Sequence, residues 1–225
     1  SLEVFRNYPN YQHVTKWVSS ERNKQVWYVP NAIDTDLFRP IHNGLINNSQ
    51  LNAGLVCRND VLHGIEIAAQ LTHVLPENIK LNIAMAATRE EINNFKLKCN
   101  PKNVNVVENV EQSKMPEFIN SQDIMLNLRL QEGIGRTTIE AMACGKPILM
   151  LPMGDRYPLM DGKTGFIVKN DMSEILNSLK NAAGDKATLE RMGQEARRVI
   201  EKEFSNTVFG ERMDKIYTSI INKGF

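Results

Sequence analysis

The stretch from Glu132 to Glu140 contains residue types that bind ligands through backbone groups. Gly133 and Gly135 can adopt backbone conformations that are closed to other residues, and they let a ligand approach the main chain closely. Arg136 then begins a short predicted helix, whose unpaired amides and positive dipole end attract phosphate or an electron-rich oxygen. The positive charge of an arginine is mildly unfavourable at a helix N-terminus unless an anion lies there.

Glu140 lies about one turn into the same predicted helix. Because helical side chains lean towards the N-terminus, its carboxylate can reach a ligand that is bound at the helix start. A carboxylate at that place suits hydroxyl groups rather than phosphates. The predicted ligand-binding residues of this stretch are Gly133, Ile134, Gly135, Arg136, Thr137 and Glu140.

Arg58 is a second candidate, because it directly follows a strand predicted over residues 52–57. Open α/β sheets bind their ligands outside the carboxyl ends of the strands. A buried hydrogen bond from an arginine to a phosphate is worth about 1.5–3 kcal/mol, which is enough for a main anchor. Neutralising a neighbouring carboxylate is the alternative role for the same arginine, and both interpretations stay open.

The elements that must position these residues follow from the apolar pattern, which alternates with amphipathic segments along most of the chain. Six strands are predicted, at residues 52–57, 80–86, 103–107, 123–128, 147–151 and 164–168. Thr88 and Glu91 predict a capping box at the start of one connecting helix, and Pro116 marks the start of another. Three more helices are predicted at the C-terminal end, over residues 172–183, 186–203 and 206–221. This order of elements is typical of an α/β fold with a parallel sheet covered by helices.

The overall composition narrows the possible classes of function. The length of 225 residues suits one large domain or one and a half small ones, and a hydrophobic fraction of 42% permits a proper core. The net charge is +1 and no dense basic run is present, which argues against a nucleic-acid partner. Three scattered cysteines, Cys57, Cys99 and Cys144, suit neither a disulfide framework nor a zinc site. With no signal-peptide pattern and no long apolar run, we expect a cytoplasmic location, with peripheral membrane association still open.

Three sequence motifs, in matching order and spacing, resemble those of family 4 retaining glycosyltransferases with the GT-B fold. EGIGRTTIEAMACGKPIL at 132–149 has two glutamates separated by seven residues, VPNAIDTDLFRP at 29–40 is similar to an inter-domain segment, and DGKTGFIV at 161–168 is similar to a late loop and strand. The resemblance implies a Rossmann-like, doubly wound parallel sheet of about six strands with C-terminal helices. It also implies that a sugar is transferred with retention from a nucleotide-diphosphate sugar to an acceptor, in polysaccharide or glycoconjugate synthesis.

The resemblance also implies roles for individual residues. Glu132 would hold the donor sugar near the reacting carbon, Glu140 the ribose hydroxyls, and Arg58 the diphosphate. His63 stands where the family usually has a lysine, and with a reference pKa of about 6.5 an imidazole lacks the full charge of an ammonium near pH 7. This substitution predicts either that bound phosphate raises the protonation of His63 or that the diphosphate binds more weakly. No cofactor besides the donor, and no metal ion at the chemical step, is expected.

The resemblance further predicts which part of an enzyme this sequence represents. GT-B enzymes have two Rossmann-like domains, of which the second mainly binds the donor and the first mainly the acceptor. Residues 41–225 are predicted to be the donor-binding domain, and residues 1–40 a lead-in or a remnant of the inter-domain region. Because the sequence begins with Ser1 rather than methionine, we expect that it was cut from a longer protein. The expected partners are a nucleotide sugar, a sugar or lipid-linked sugar acceptor, and the missing N-terminal domain.

Alternative functions fit the same residues less well. A non-catalytic nucleotide-sugar-binding or partner-binding module of the same fold is favoured by the missing lysine. An isomerase or epimerase of sugar nucleotides is disfavoured, because the helix with two glutamates is a hallmark of transferases. A nicotinamide site needs a glycine-rich turn after the first strand, where this chain has Arg58-Asn59-Asp60-Val61. Glycosidase chemistry needs two carboxyls at a fixed separation, whereas here one is predicted in a loop and the other inside a helix.

Overall fold

The computed structural model describes residues 27, 29–41, 50–131, 133–153 and 156–223. Its centre is a six-stranded sheet in which every pair of neighbouring strands is parallel. The strands are β1 (Leu51–Arg58), β2 (Ile79–Ala86), β3 (Val104–Glu108), β4 (Ile124–Asn127), β5 (Ile148–Met150) and β6 (Gly165–Ile167). All six predicted strands are confirmed, and each end differs from the prediction by at most one residue.

Helices cover both faces of this sheet. They are α1 (Ile65–Val74), α2 (Arg89–Leu97), α3 (Met115–Asn120), α4 (Arg136–Ala143), α5 (Met172–Gly184), α6 (Lys186–Glu203) and α7 (Asn206–Lys223). Helices α1, α2 and α5 bury apolar residues against one face, while α3, α4 and most of α6 bury theirs against the other. Successive strand residues point to opposite faces, so Leu126 of β4 joins the first of these two cores and Met125 the second. The doubly wound, Rossmann-like α/β fold is therefore confirmed.

The helix boundaries follow the local signals in the sequence. Thr88 and Glu91 form the predicted capping box at the start of α2, with Glu91 N donating to Thr88 Oγ1 at 3.3 Å and Thr88 N donating to Glu91 Oε2 at 2.8 Å. Pro116 lies in the first turn of α3, as expected. Gly145 follows α4 with a φ of 71°, a conformation that suits glycine at a helix C-terminus.

The segment of residues 33–41 is attached to the sheet domain. Ile33 N donates a hydrogen bond to Phe204 O at 2.8 Å, just after α6. Arg197 of α6 reaches the same segment, and its Nη1 donates to Phe38 O at 2.6 Å. Part of the predicted lead-in therefore packs against the predicted donor-binding domain. Its first 26 residues lie outside the described ranges, and the division into residues 1–40 and 41–225 stays a prediction.

No helix within the described ranges combines the length and the apolar character that a membrane-spanning helix needs.

The order of the strands creates a crevice at the centre of the sheet. The spatial order is β3-β2-β1-β4-β5-β6, so the chain runs outward from β1 in one direction and from β4 in the other. Such a reversal leaves room for a ligand outside the carboxyl ends of the two central strands. The loops after β1 and β4 are joined at this crevice, because Leu130 N donates to Leu62 O at 2.9 Å. The topology thus brings two distant parts of the sequence to one place.

Candidate functional site

A cavity of about 600 Å³ lies at the carboxyl ends of β1 and β4. Most of the residues that the sequence nominates line it, although they come from two parts of the chain. The nominated residues in its wall are Arg58, His63, Ile134, Gly135, Arg136, Thr137 and Glu140. This volume is within the range of roughly 300–1,000 Å³ that small-molecule sites occupy.

The β1 side of the cavity is a short, exposed turn. Arg58 is the last residue of β1 and is exposed, while His63 ends a single 3-10 turn and is half-buried. The side chain of Asp60 caps this turn by accepting a hydrogen bond from Leu62 N at 2.8 Å. The turn ends at Gly64, whose φ of 76° is favourable only for glycine.

Gly64 explains how the β1 loop can lie against β4. A Cβ atom at this position would stand 2.1 Å from Leu128 O, a backbone atom that cannot move aside easily. The absence of a side chain at Gly64 therefore permits the close approach of the two loops, and no local sequence pattern predicted this contact.

The β4 side of the cavity is organised by Asn127, which sequence reasoning missed. Asn127 is buried, and its Nδ2 donates to Ile134 O at 2.9 Å and to Thr138 Oγ1 at 3.0 Å. Its Oδ1 accepts a hydrogen bond from Arg129 N at 3.2 Å. One buried amide thus fixes both ends of the glycine loop, and a polar residue at the end of an otherwise apolar strand was the available signal.

The start of α4 forms part of the cavity wall. Gly135 is the N-cap residue, and no side chain among the described residues caps the helix. The first-turn N–H groups of a helix have no partner inside the helix, so Arg136 and Thr137 present unpaired donors where they line the cavity. Together with the helix dipole, these donors favour an anion or an electron-rich oxygen.

Glu140 lies one turn deeper in the same wall and is only 4% exposed. Gln112, from the loop before α3, donates its Nε2 to Glu140 Oε1 at 3.2 Å. Burial raises the pKa of the Glu140 carboxyl above its usual value, and the Gln112 hydrogen bond and the Arg136 charge oppose this effect. A carboxylate that has lost its water in this way gains most from hydroxyl donors supplied by a ligand. Gln112 was also missed, since nothing local in the sequence links it to Glu140.

Arg129 is the third arginine in the described cavity wall, and the sequence analysis did not nominate it. Its Nε is buried and has no hydrogen-bond partner among the described residues. The guanidinium lies beside Gly135, because a Cβ built on that glycine would be 3.3 Å from Arg129 Nη1. A charged residue immediately after a buried strand was the signal that would have found it.

The surroundings of His63 favour its neutral form. Burial lowers the pKa of His63 below its ordinary value, and the charges of Arg129 and Arg58 lower it further, while Asp60 opposes them. A neutral imidazole can donate one hydrogen bond, but it brings no charge to the cavity.

The two remaining nominated residues are Glu132 and Gly133. Glu132 lies outside the described residues, so its predicted role stays a prediction. Gly133 instead lines a neighbouring cavity of about 430 Å³ on the other side of the glycine loop. The other walls of that second cavity include Pro30, Ile33 and Phe204, so it borders the segment that precedes the sheet domain.

The three cysteines have no visible part in the chemistry. All are buried and unpaired by disulfides, and burial raises the pKa of Cys57 and of Cys144 to about 12. Thiols with such values are inert near neutral pH. Within the described residues, no group of three or more His, Cys, Asp or Glu side chains could hold a metal ion.

Comparison with known proteins gives this site a family context. In sequence, the chain is 28% identical over 123 residues to the capsular polysaccharide biosynthesis glycosyltransferase CapM of Staphylococcus aureus, a match that covers 54% of this chain and 32% of that protein. The chain therefore spans about a third of that curated relative.

Two solved structures share the fold. Sucrose-phosphate synthase from Thermosynechococcus elongatus superposes with a TM-score of 0.80 at 19% identity, covering 96% of this chain and 57% of that one. The Anabaena protein HepE in complex with UDP-glucose superposes with a TM-score of 0.73 at 15% identity, covering 85% and 57%. At these identities the superpositions concern the fold alone. The model of the family described as glycosyl transferases group 1 matches residues 58–199. The chain, with its GT-B type of Rossmann-like domain, belongs to the group 1 family of glycosyl transferases.

Proposed function

We propose that this chain is the donor-binding domain of a retaining, family 4 type glycosyltransferase and binds a nucleotide-diphosphate sugar. The observation that carries the proposal is the meeting of Arg58, the uncapped start of α4 and Glu140 in one cavity. These groups come from opposite sides of the topological switch point, and together they offer positive charge, backbone donors and a carboxylate. A sugar joined to a nucleoside by two phosphates needs all three.

Each group is assigned the part of the donor that its chemistry suits. Arg58 and the amides at the start of α4 bind the diphosphate, since both supply donors to phosphate oxygens. Glu140 accepts hydrogen bonds from the ribose hydroxyls. Glu132 is assigned to the donor sugar near the reacting carbon, on the strength of the motif alone.

The chemical contribution of the domain is electrostatic. Negative charge accumulates on the diphosphate as the bond to the sugar breaks, so donors and cations aimed at it stabilise the transition state more than the ground state. Because arginines and backbone amides supply this stabilisation, we expect no dependence on a metal ion and no cofactor besides the donor.

The activity of the whole protein is a further proposal, since the chain spans only part of its relatives. We propose that a second, N-terminal domain binds a sugar or lipid-linked sugar acceptor, and that this chain alone turns over poorly. The name of the Staphylococcus aureus relative supports a role in the synthesis of a polysaccharide or glycoconjugate.

A binding panel tests the proposal directly. Thermal-shift and calorimetric titrations with UDP-, GDP- and ADP-glucose should find one base class that stabilises the chain. The variants Arg58→Ala and Glu140→Ala should each weaken that ligand roughly tenfold to a hundredfold, because a hydrogen bond to a charged group is worth about 1.5–3 kcal/mol.

Arg89→Ala is the matched control for the loss of an arginine. Arg89 is exposed at the start of α2 and does not line the cavity, so its removal should leave the affinity unchanged. Unchanged affinity in both site variants, or no binding of any of the three donors, contradicts the proposed function.

A second candidate function is a module that binds nucleotide sugars but transfers nothing. The neutral state of His63 favours it, because one cation fewer would serve the departing diphosphate. Release of nucleoside diphosphate from the donor by the complete protein in the presence of acceptor separates the two, since only a transferase releases it.

A further inference from the structure

The charged side chains in the cavity wall are mostly positive. Its charged residues within the described part of the chain are three arginines, Arg58, Arg129 and Arg136, against a single glutamate, Glu140. The unpaired amides of α4 add to the positive side. Without an anion these groups repel one another, so the arrangement is suited to a ligand of more than one negative charge.

Arg129 is the least satisfied member of this set. Its Nε is removed from solvent yet finds no acceptor in the described residues. A buried charged donor without a partner destabilises the folded state, and native structures pair nearly all such groups. Its guanidinium lies beside Gly135 at the N-terminus of α4, where the helix itself already favours an anion.

The position of Arg129 complements that of Arg58. Arg58 ends β1 and Arg129 follows β4, so the two guanidinium groups belong to opposite sides of the crevice. The hydrogen bond from Leu130 N to Leu62 O connects the two loops, so that both arginines line the same cavity.

We propose that Arg129 supplies the second positive charge to the donor diphosphate, opposite Arg58, and that His63 contributes only an uncharged hydrogen bond. The inference rests on the proposed function and assigns the diphosphate site two arginines from two different loops. It goes beyond the sequence-based expectation, in which His63 was the partner of Arg58.

Calorimetry on the full chain with UDP-glucose, or with whichever nucleotide sugar of the panel binds most tightly, tests the inference. Arg129→Gln should raise the Kd by roughly tenfold or more, the effect typical of a lost charge-assisted hydrogen bond. Arg129→Lys should recover part of the affinity, because it restores the charge without the planar fork. The affinity for the nucleoside without phosphates, measured by competition, should stay within about twofold, since it does not reach the diphosphate site.

Two further readouts separate ligand binding from a structural role. Without ligand, Arg129→Met should melt at the same temperature as the wild type or higher, because the substitution removes a buried Nε–H donor that has no partner among the described residues. A structural arginine would lower the melting temperature instead. Arg191→Gln, an exposed arginine on α6 far from the cavity lining, is the matched control and should change neither affinity nor stability.

The pH dependence distinguishes Arg129 from His63. A nucleotide sugar has no terminal phosphate monoester, the group whose second pKa lies near about 6, so its charge stays constant from pH 6 to 8. An arginine also keeps its charge over this range. The arginine and the ligand therefore contribute no change in Kd between pH 6 and 8. Titration of Glu140, whose pKa burial raises, would strengthen binding as the pH rises and not weaken it. An affinity that falls as pH rises through 6 to 7, and that becomes flat in His63→Gln, assigns the charge to His63 and overturns the inference.

The outcomes also separate this inference from the proposed function. If the wild type binds none of the nucleotide sugars, the proposed function falls and the inference falls with it. If the wild type binds one and Arg129→Gln binds it within twofold, only the inference is overturned. If affinity drops tenfold and the unliganded variant is as stable as the wild type, both stand.

Discussion

The two loops at the crevice differ in how their polar groups are satisfied. In the loop after β1, Asp60 caps its own turn and Asn59 donates to Glu91 at 3.1 Å, so this exposed loop is stabilised by its own contacts. In the loop after β4, Asn127 anchors the chain, while Arg129 Nε has no partner in the described residues. From this difference we expect a bound ligand to fill more unmet hydrogen bonds on the β4 side, where Arg129 Nε has no acceptor among the described residues.

The largest effect is expected from a substitution at Gly64, because the loop after β1 contacts the end of β4 at this residue. Gly64→Ala forces an L-residue to a φ of 76° and places its Cβ 2.1 Å from Leu128 O. Left-handed backbone costs about 1–2 kcal/mol in a non-glycine residue, and overpacking against backbone adds roughly 1–3 kcal/mol. Urea-induced unfolding should therefore show a loss of stability, together with weaker nucleotide-sugar binding.

Gly162→Ala is the matched control for the backbone term. Gly162 has a φ of 71°, but a Cβ there would meet nothing within 4 Å. The free energy of unfolding should therefore be only about 1–2 kcal/mol lower in Gly162→Ala than in the wild type. Equal losses in the two variants mean that the contact with Leu128 does not set the approach of the loops.

The next largest effects are expected from Asn127 and Asp60, the side chains that stabilise the loop after β4 and the loop after β1, respectively. Asn127→Ala removes the buried side-chain amide whose Nδ2 donates both hydrogen bonds to the glycine loop and α4. We expect the free energy of unfolding to fall by about 1–3 kcal/mol and the ligand to bind more weakly. Asp60→Ala removes an exposed cap from a single turn, for which the low end of about 0.5–2 kcal/mol is expected.

Denaturation gives the two stability changes, and titration with the best-binding nucleotide sugar gives the affinities. The affinity should fall in Asn127→Ala. It should not fall in Asp60→Ala, because the loss of a negative charge near the proposed diphosphate site favours binding of the anion. A larger loss of affinity in Asp60→Ala would place the binding energy on the β1 side and reverse the comparison.

The same contrast shows why the fold was easier to predict than the site. Strand and helix positions follow from local apolar periods, caps and prolines, so all six strands and the three C-terminal helices were found in the sequence. Arg58 and Glu140 were found because each follows a local signal, a strand end or a glycine loop.

The missed residues act through distant contacts instead. Gln112 is tied to Glu140 across 28 positions, and Gly64 is needed only because Leu128 O lies against it. Arg129 matters because Gly135 and the start of α4 fold back over it. No local pattern links Gln112 to Glu140 or Gly64 to Leu128, because these contacts depend on tertiary packing. Arg129 did have a local signal, its place directly after the predicted strand at 123–128.

Glu140 gives the smallest effect, a change of stability with pH in the unliganded chain. Burial raises the pKa of its carboxyl in the folded state, so between the unfolded and folded pKa values the folded chain binds more protons than the unfolded chain. The unfolding free energy contributed by this group therefore falls as pH rises through that window. Glu140→Gln has nothing to titrate there and keeps the neutral form at every pH.

Glu140→Gln should accordingly match the wild type in stability below the unfolded pKa and exceed it by a small margin at pH 7, while binding the nucleotide sugar less well. Urea titrations of both proteins from pH 4 to pH 8 measure the difference, with the other carboxylates cancelling between them. A stability difference that shrinks as pH rises would mean that the folded site favours the ionised carboxylate. The Gln112 hydrogen bond and the Arg136 charge would then outweigh burial, and Glu140 would need no ligand hydroxyls to offset its lost water.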